Sequence, residues 1–259
     1  MKALGPVLSS LHAYNGRVRL HKFIANCAYC SRRRAELLIA AGRVQVDGGV
    51  VTEMGVSVDP RRNRVTVNGD VLSLPEPITV LLHKLPGFIT STHDTHERLT
   101  VMDLLPKRMC LLGVNPVGRL DQDTSGLLIL TNDGDLNHRI THPSFEIEKE
   151  YEVEVRGRPS EAALDRLRGG IPIEGEMTAP ARVFDLRPAG GTTRVRVVIS
   201  EGRKRQIKKM FDAIGHPVVD LCRVRVGGLQ LGDLPPGEWR ELAPAEVDSI
   251  LGVRTRSGA

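Results

Sequence analysis

The chain has 259 residues, 41% of them hydrophobic and 26% charged, with a formal net charge of +5. These are ordinary values for a folded, water-soluble chain, with room for one large domain or a small module plus a medium one. The longest apolar runs, Val80 to Leu82 and Leu127 to Leu130, fall far short of a bilayer-spanning helix, and no signal-peptide pattern opens the chain. Four cysteines do not make a disulfide framework at this length, so a reducing, cytoplasmic setting is expected. Aromatic residues are only 3%, so any platform built from rings must be small.

In chain order, residues 1–16 show no periodicity and read as a flexible arm. The next stretch holds the charge excess. From Arg17 to Pro75 ten basic residues face five acids, which leaves the rest of the chain balanced. A local basic excess on a small module is the electrostatic footprint of a phosphate-backbone binder. Leu20, Phe23, Ile24 and Cys27 recur at i, i+3, i+4 and i+7, one stripe of an amphipathic helix. Ser31 caps a second helix whose apolar residues are Ala35, Leu38 and Ile39, with Gly42 placed to end it. The first turn of that helix is Arg32-Arg33-Arg34, the wrong sign for the positive end of the macrodipole unless an anion docks there. Val44-Gln45-Val46 and Val50-Val51 flank the turn Asp47-Gly48-Gly49 as a β-hairpin, and Val65-Thr66-Val67 turns at Asn68-Gly69.

The text "RLHKFIANCAYCSRRRAELLIAAGRVQVDGGVV" resembles the S4-type RNA-binding module, here over residues 17–73. The resemblance implies two short helices followed by small strands, and a grip on structured RNA. Within it, Cys27-Ala28-Tyr29-Cys30 has the spacing of half a zinc site, but Cys110 and Cys222 are isolated and Cys27 belongs to the apolar stripe. No metal site is expected.

Leu74-Pro75-Glu76-Pro77 interrupts regular structure and marks a linker over 74–78. A second domain is expected over 79–251, with a tail at 252–259. Strands are read at 79–82, 127–130, 151–155 and 194–199, and helices near 161–168 and 206–214. Strands outnumber helices without βαβ alternation, which predicts an α+β domain with a largely antiparallel mixed sheet. No phosphate-cradling glycine loop follows a strand, so a nucleotide cofactor has no support.

The sharpest segment runs Pro116-Val117-Gly118-Arg119-Leu120-Asp121-Gln122-Asp123-Thr124-Ser125-Gly126, ahead of the apolar Leu127 to Leu130. It places two carboxylates and an arginine on a glycine-punctuated loop against a buried strand, where function is commonly carried. A calcium loop would need a bidentate acid where Asn132 stands, and flanking helices are missing. A glycosidase pair is not assured the required separation by two carboxylates two residues apart, and no third acid is indicated.

The string "PVGRLDQDTSGLLILTNDGDLNHRITHPSFEIEKEYEVEV" resembles the catalytic core of the RsuA/RluB-type ribosomal RNA pseudouridine synthases. "EGRKRQIKKMFDAIGHPVVDLCRVRVGGLQL" resembles the same family's C-terminal active-site motif. One departure is visible: the family usually reads Lys-Pro-x-Gly after its first strand, and here the text is Lys84-Leu85-Pro86-Gly87. The resemblance implies isomerisation of uridine by breaking N1–C1′, rotating the base and rejoining through C5, with no metal and no organic cofactor. It implies Asp121 as the catalytic aspartate, Tyr151 as the active-site tyrosine and Lys208 as the basic residue paired with the aspartate. Arg32, Arg33, Arg34, Arg43, Lys84, Arg119, Arg203 and Arg205 complete the expected set as RNA-binding residues.

Elementary chemistry supports these roles. A working aspartate must stay ionised, and a cation within about 4–6 Å keeps it so. Arg119 and the cluster Arg203, Lys204, Arg205, Lys208 and Lys209 are available, and periodicity alone does not choose among that cluster's five. Ile207, Met210, Phe211 and Ile214 form the core stripe of their helix and leave Lys208 on its flank. Tyr151 starts an alternating strand with Val153 and Val155 and can stack on a base while offering its hydroxyl. Asp123 reads as turn chemistry. His93, His138 and His142 read as surface or capping residues. Large-subunit rRNA is the expected substrate, the alternatives being small-subunit rRNA or an inactive RNA-binding assembly factor. The expected partner is rRNA alone, bound by a monomer away from any membrane.

Overall fold

The computed structural model describes residues 16–252, so the expected arm and tail lie almost wholly outside the described residues. The chain divides into two compact units. The first holds the residues up to Ile78 together with Pro106–Asn115 and Thr131–Asp135; the second holds Thr79–Leu105, Pro116–Leu130 and the remainder from Leu136. Asn132 shows how a distant segment joins the first unit. Its side chain accepts from the Ile78 N–H (2.9 Å) and donates to the carbonyls of Glu76 (2.9 Å) and Leu112 (3.1 Å).

The first unit begins with β1 (Val18–Arg19), α1 (Leu20–Asn26) and α2 (Arg32–Ala40), then β2 (Val44–Val46), β3 (Gly49–Val51), β4 (Ser57–Val58), β5 (Val65–Val67) and β6 (Asp70–Val71). The expected stripe is the buried one: Leu20, Phe23 and Ile24 pack with Ala35, Ile39, Val44, Val65 and Val67, and Cys27 leans on the same cluster. Ser31 caps α2 by accepting the Arg34 N–H. Burial pushes the Cys27 thiol up to about 12, so it stays protonated, unlike a metal-ligating thiolate. Strands β3, β2, β5 and β6 form an antiparallel sheet in that order. Both of its tight hairpins carry positive φ at the first turn residue, Asp47 (51°) and Asn68 (54°), each followed by a glycine, the chemistry of a type I′ turn.

The rest of the chain supplies β7 (Thr79–Lys84), α3 (Lys107–Leu111), β8 (Asn115–Pro116), β9 (Ser125–Thr131), α4 (Gly134–Thr141), β10 (Lys149–Arg156) and α5 (Glu161–Gly169). It continues with β11 (Pro172–Ile173), β12 (Glu176–Met177), β13 (Arg182–Ala189), β14 (Thr192–Ile199), α6 (Gln206–Asp212), β15 (Val218–Val226), β16 (Leu229–Gln230), β17 (Trp239–Glu241) and α7 (Pro244–Ile250). The second unit is built on a nine-stranded sheet with the path β13-β14-β10-β15-β9-β7-β17, to which β16 adds beside β15 and β8 beside β9. The pairs of β10 with β14 and β15, β13 with β14, and β17 with β7 are antiparallel, as the sequence predicts. The junction of β9 with β15 is parallel, which no local pattern announces. Strand β10 alternates: Tyr151, Val153 and Val155 are buried, whereas Glu150, Glu152 and Glu154 face the other way. No described helix is long and apolar enough to cross a membrane.

The parallel junction dictates one glycine. Gly126 has φ +102°, and a Cβ there would sit 2.3 Å from the Arg223 carbonyl oxygen and 2.6 Å from its nitrogen. Gly126→Ala is therefore expected to destabilise by about 3 kcal/mol, read as a drop in the urea midpoint with unchanged slope. Gly169→Ala is the control: nothing lies within 4 Å of its Cβ position, and midpoint stability should hold or rise slightly.

Candidate active site

The segment between β8 and β9 is a loop whose backbone is fixed by the end of β7 and the stretch following it. Lys84, at the end of β7, is fully buried. Its ammonium donates to the carbonyls of Leu85 (2.9 Å), Gln122 (3.2 Å) and Thr124 (2.7 Å). Gly87 N–H donates to the Gln122 carbonyl (2.8 Å), and the Gln122 side chain returns a bond to the Gly87 carbonyl (3.1 Å). The buried Thr90 hydroxyl donates to the Leu120 carbonyl (2.8 Å) and accepts the Leu120 N–H (3.2 Å). Residue 121 is thus held on both sides, and its own carbonyl accepts the Thr124 N–H (3.1 Å).

Asp121 lines a cavity of about 690 Å³ in the second unit. Tyr151 and Lys149 of β10, Arg223 of β15, Arg119 of the loop and Arg205 at the start of α6 line it too. A carboxylate thus shares its hollow with an aromatic ring and several cations, a suitable setting for an anionic, ring-bearing substrate. Burial and the neighbouring Arg223 charge both push the Lys149 ammonium down. Arg223, only 5% exposed, donates from Nε to the Leu127 carbonyl (2.8 Å) and stands opposite Tyr151 in the β10–β15 register.

The expected ion pair is drawn differently. Lys208 Nζ lies 2.5 Å from Asp123 Oδ1, with Arg205 Nη1 3.8 Å from Asp123 Oδ2. Burial pushes the Asp123 carboxyl up, but the Lys208 hydrogen bond and the charges of Lys208 and Arg205 outweigh it and hold it below its ordinary value. Lys208 is buried rather than facing the cavity, because the core stripe of α6 draws its stem inward. Asp123 is therefore a counter-ion and not turn chemistry alone. Burial pushes the Lys84 ammonium down to about 8, against the upward pull of Asp123 and Asp121 and with Lys208 lowering it further.

Lys84 is the second correction. Expected at the RNA surface, it is out of reach of RNA because three carbonyls enclose its ammonium. Arg203 lines the cavity, yet its Nη2 and Nη1 donate to the carbonyls of Met177 (2.5 Å) and Glu176 (3.3 Å) and its Nε pairs with Glu201 (3.2 Å), so much of its donor set is spent on the β11–β12 hairpin. Arg119 and Arg205 are exposed at the cavity. Arg205 adopts φ +54°, an uncommon backbone state that turns the chain into α6. In the first unit Arg32, Arg33 and Arg34 are all exposed at the start of α2, and Arg43 donates from Nε to Asn68 Oδ1 (2.7 Å).

Sequence reasoning passed over Lys149, Thr90, Thr124 and Arg223. Lys149 is two residues before Tyr151 on the same strand face, a signal that was present. The Thr124 hydroxyl in the cavity wall has no hydrogen-bond partner among the described residues.

Comparison with known proteins identifies the family. The RNA pseudouridylate synthase family model matches residues 78–213, and the S4 domain model matches residues 18–60. The ribosomal large subunit pseudouridine synthase B of Bacillus subtilis is 43% identical over 240 residues, spanning 91% of this chain and 96% of that protein. An RNA pseudouridine synthase of Mycobacterium leprae is 39% identical over 240 residues, 91% of this chain and 93% of its own. The crystal structure of a pseudouridylate synthase matches with TM-score 0.64 at 32% identity, over 90% of this chain and 99% of that one. The chain belongs to the RNA pseudouridylate synthase family. Within that family it is an RNA pseudouridine synthase of the RsuA/RluB type, with an S4 domain ahead of its catalytic domain.

The Lys84 anchor is testable through pH. Below about 8 its three protons meet three carbonyls, and above it a neutral amine has only two to offer. Single-turnover rates on an RNA substrate are expected to fall as pH rises through about 8. In Lys84→Met the rate is expected to be low throughout and to lack that inflection.

Proposed function

We propose that this enzyme converts a uridine of large-subunit ribosomal RNA to pseudouridine, with Asp121 as the reacting carboxylate. The observation that carries the assignment is the placement of Asp121: it lines the cavity beside Tyr151, held by a loop bonded on both sides of it, while Asp123 takes the Lys208 charge. The large-subunit substrate is supported by the name of the 43% identical Bacillus subtilis relative.

The isomerisation removes the bond between C1′ and N1, turns the freed uracil and forms a bond from C1′ to C5. A proton leaves C5 and N1 gains one, so atoms and electrons balance without an oxidant, reductant or nucleotide. This chemistry fits an enzyme working without metal or organic cofactor. Asp121 serves attack at C6, attack at C1′ or proton removal from C2′ equally well, since each needs an ionised carboxylate against the nucleoside. Tyr151, 9% exposed in the cavity wall, stacks on the everted base. Lys208 acts through Asp123, steadying the loop rather than touching the substrate. Arg119 and Arg205 meet the phosphates around the target. Residues 17–73 form the RNA-gripping module, through Arg32, Arg33, Arg34 and Arg43, and 79–251 the catalytic domain beyond a linker at 74–78. We take the enzyme to act as a cytoplasmic monomer.

Asp121→Asn is expected to lower pseudouridine formation by ~1,000-fold or more with RNA affinity and thermal midpoint preserved. Carbodiimide-blocked primer extension on large- and small-subunit transcripts reads the product, and modification confined to the small-subunit transcript would overturn the substrate assignment. Asp123→Asn is expected instead to lower stability by about 1–2 kcal/mol, because it strands the buried Lys208 ammonium while solvent at the exposed Asp123 screens part of the loss. Replacing Arg32, Arg33 and Arg34 together by Ala should flatten the log–log salt dependence of RNA binding by about one unit per lost phosphate contact.

A further inference from the structure

One wall of the catalytic cavity continues outward into a cluster of rings. Ile140, Thr141 and Pro143 line the cavity. The residues interleaved with them are His138, His142 and Phe145, all exposed, Phe145 by 45%. Their rings touch as a group: the centroids of His138 and His142 are 4.9 Å apart, and Phe145 meets them edge-on at 6.1 Å and 6.3 Å. The arrangement is fixed from within. His142 Nδ1 accepts the Ser144 N–H (3.3 Å), lies 2.7 Å from the Ser144 hydroxyl and caps the short 3-10 turn Pro143–Phe145 that carries the phenyl ring.

In a chain with 3% aromatic residues, three mutually supported rings left in solvent beside the cavity call for an occupant. The chemistry next door supplies one. Everting a uridine leaves the adjacent nucleotides without a stacking neighbour, and flat aromatic surfaces accept such bases whatever their identity. Exposed Arg139 on α4 and Arg119 at the cavity provide cations for the accompanying phosphates. We propose that His138, His142 and Phe145 form a stacking site for an unpaired nucleobase of the substrate RNA, adjacent to the one everted into the cavity. The proposal rests on RNA being the substrate, and it adds a subsite that holds a neighbour of the target uridine.

The test measures affinity for a large-subunit rRNA transcript over a salt series for wild type, Phe145→Ala and Phe145→Trp, with thermal midpoints and wild-type pseudouridine yield recorded alongside. Phe145→Ala should bind roughly 5- to 150-fold more weakly, the range expected for losing one base-stacking contact. Its salt slope and midpoint should stay unchanged, and Phe145→Trp should bind close to wild type. Unchanged affinity in Phe145→Ala, or a loss that comes with a smaller salt slope or a lowered midpoint, overturns the stacking site. Absence of pseudouridine in the wild-type reaction is a separate outcome: it sinks the substrate assignment, while the affinity comparison still judges the rings.

Discussion

The loop that carries Asp121 depends on one buried charge. An ammonium taken out of water costs several kcal/mol unless its protons find acceptors, and Lys84 finds three in main-chain carbonyls, two of them belonging to Gln122 and Thr124. The requirement runs both ways. Those carbonyls must turn toward Lys84, which fixes the loop backbone on the far side of Asp121, while Thr90 fixes Leu120 on the near side. The position of Asp121 is thus set by backbone bonds, with little left to the rotamer freedom of a surface loop.

Two aspartates two residues apart then receive different surroundings. Asp123 meets Lys208 directly and Arg205 more distantly, so its charge is largely answered within the protein. Asp121 has no ion pair of that kind among the described residues and opens on the cavity. A carboxylate clamped to an ammonium gives up lone pairs to it and reacts less readily; one without such a partner keeps its lone pairs for the substrate. Under the proposed assignment, Asp123 absorbs the close contact that would blunt Asp121. The resemblance predicted Lys208 as the partner of Asp121, and the structure pairs it with Asp123 instead.

The sequence carried the features with a local cause. Ser31 as a cap, the Leu20–Phe23–Ile24 stripe, the two hairpins and the alternation through Tyr151, Val153 and Val155 follow from spacing and turn chemistry, and each is present. The features that were not legible are long-range. Lys84 ends an apolar strand as an ordinary snorkelling lysine would, and only acceptors 38 and 40 residues away make burial tolerable. Arg223 sits in a strand where an arginine reads as outward-facing, yet a carbonyl 96 residues distant holds it in the cavity wall. Gly126 passes for turn chemistry until its strand is seen pressed against β15 in the parallel register. The ring cluster was legible in part: capping by His142 was expected, its contacts with His138 and Phe145 were not.

Charge balance hides a further division. Outside residues 17–75, acids and bases are equal in number, which suggests no electrostatic preference. The structure sorts them by sheet face. On the side of β10 away from Tyr151, Glu150 pairs with Arg196 and Arg225, Glu152 with Arg196, and Glu154 with Arg194. The more exposed of these pairs, Glu152–Arg196 and Glu154–Arg194, add little to stability, but together the pairs neutralise that face. The cavity face has fewer carboxylates to set against Arg119, Arg205, Lys149 and Arg223. A domain with no excess charge can therefore still present a positive hollow to a polyanion, and steering toward the cavity comes from where the acids were used up, not from how many bases there are.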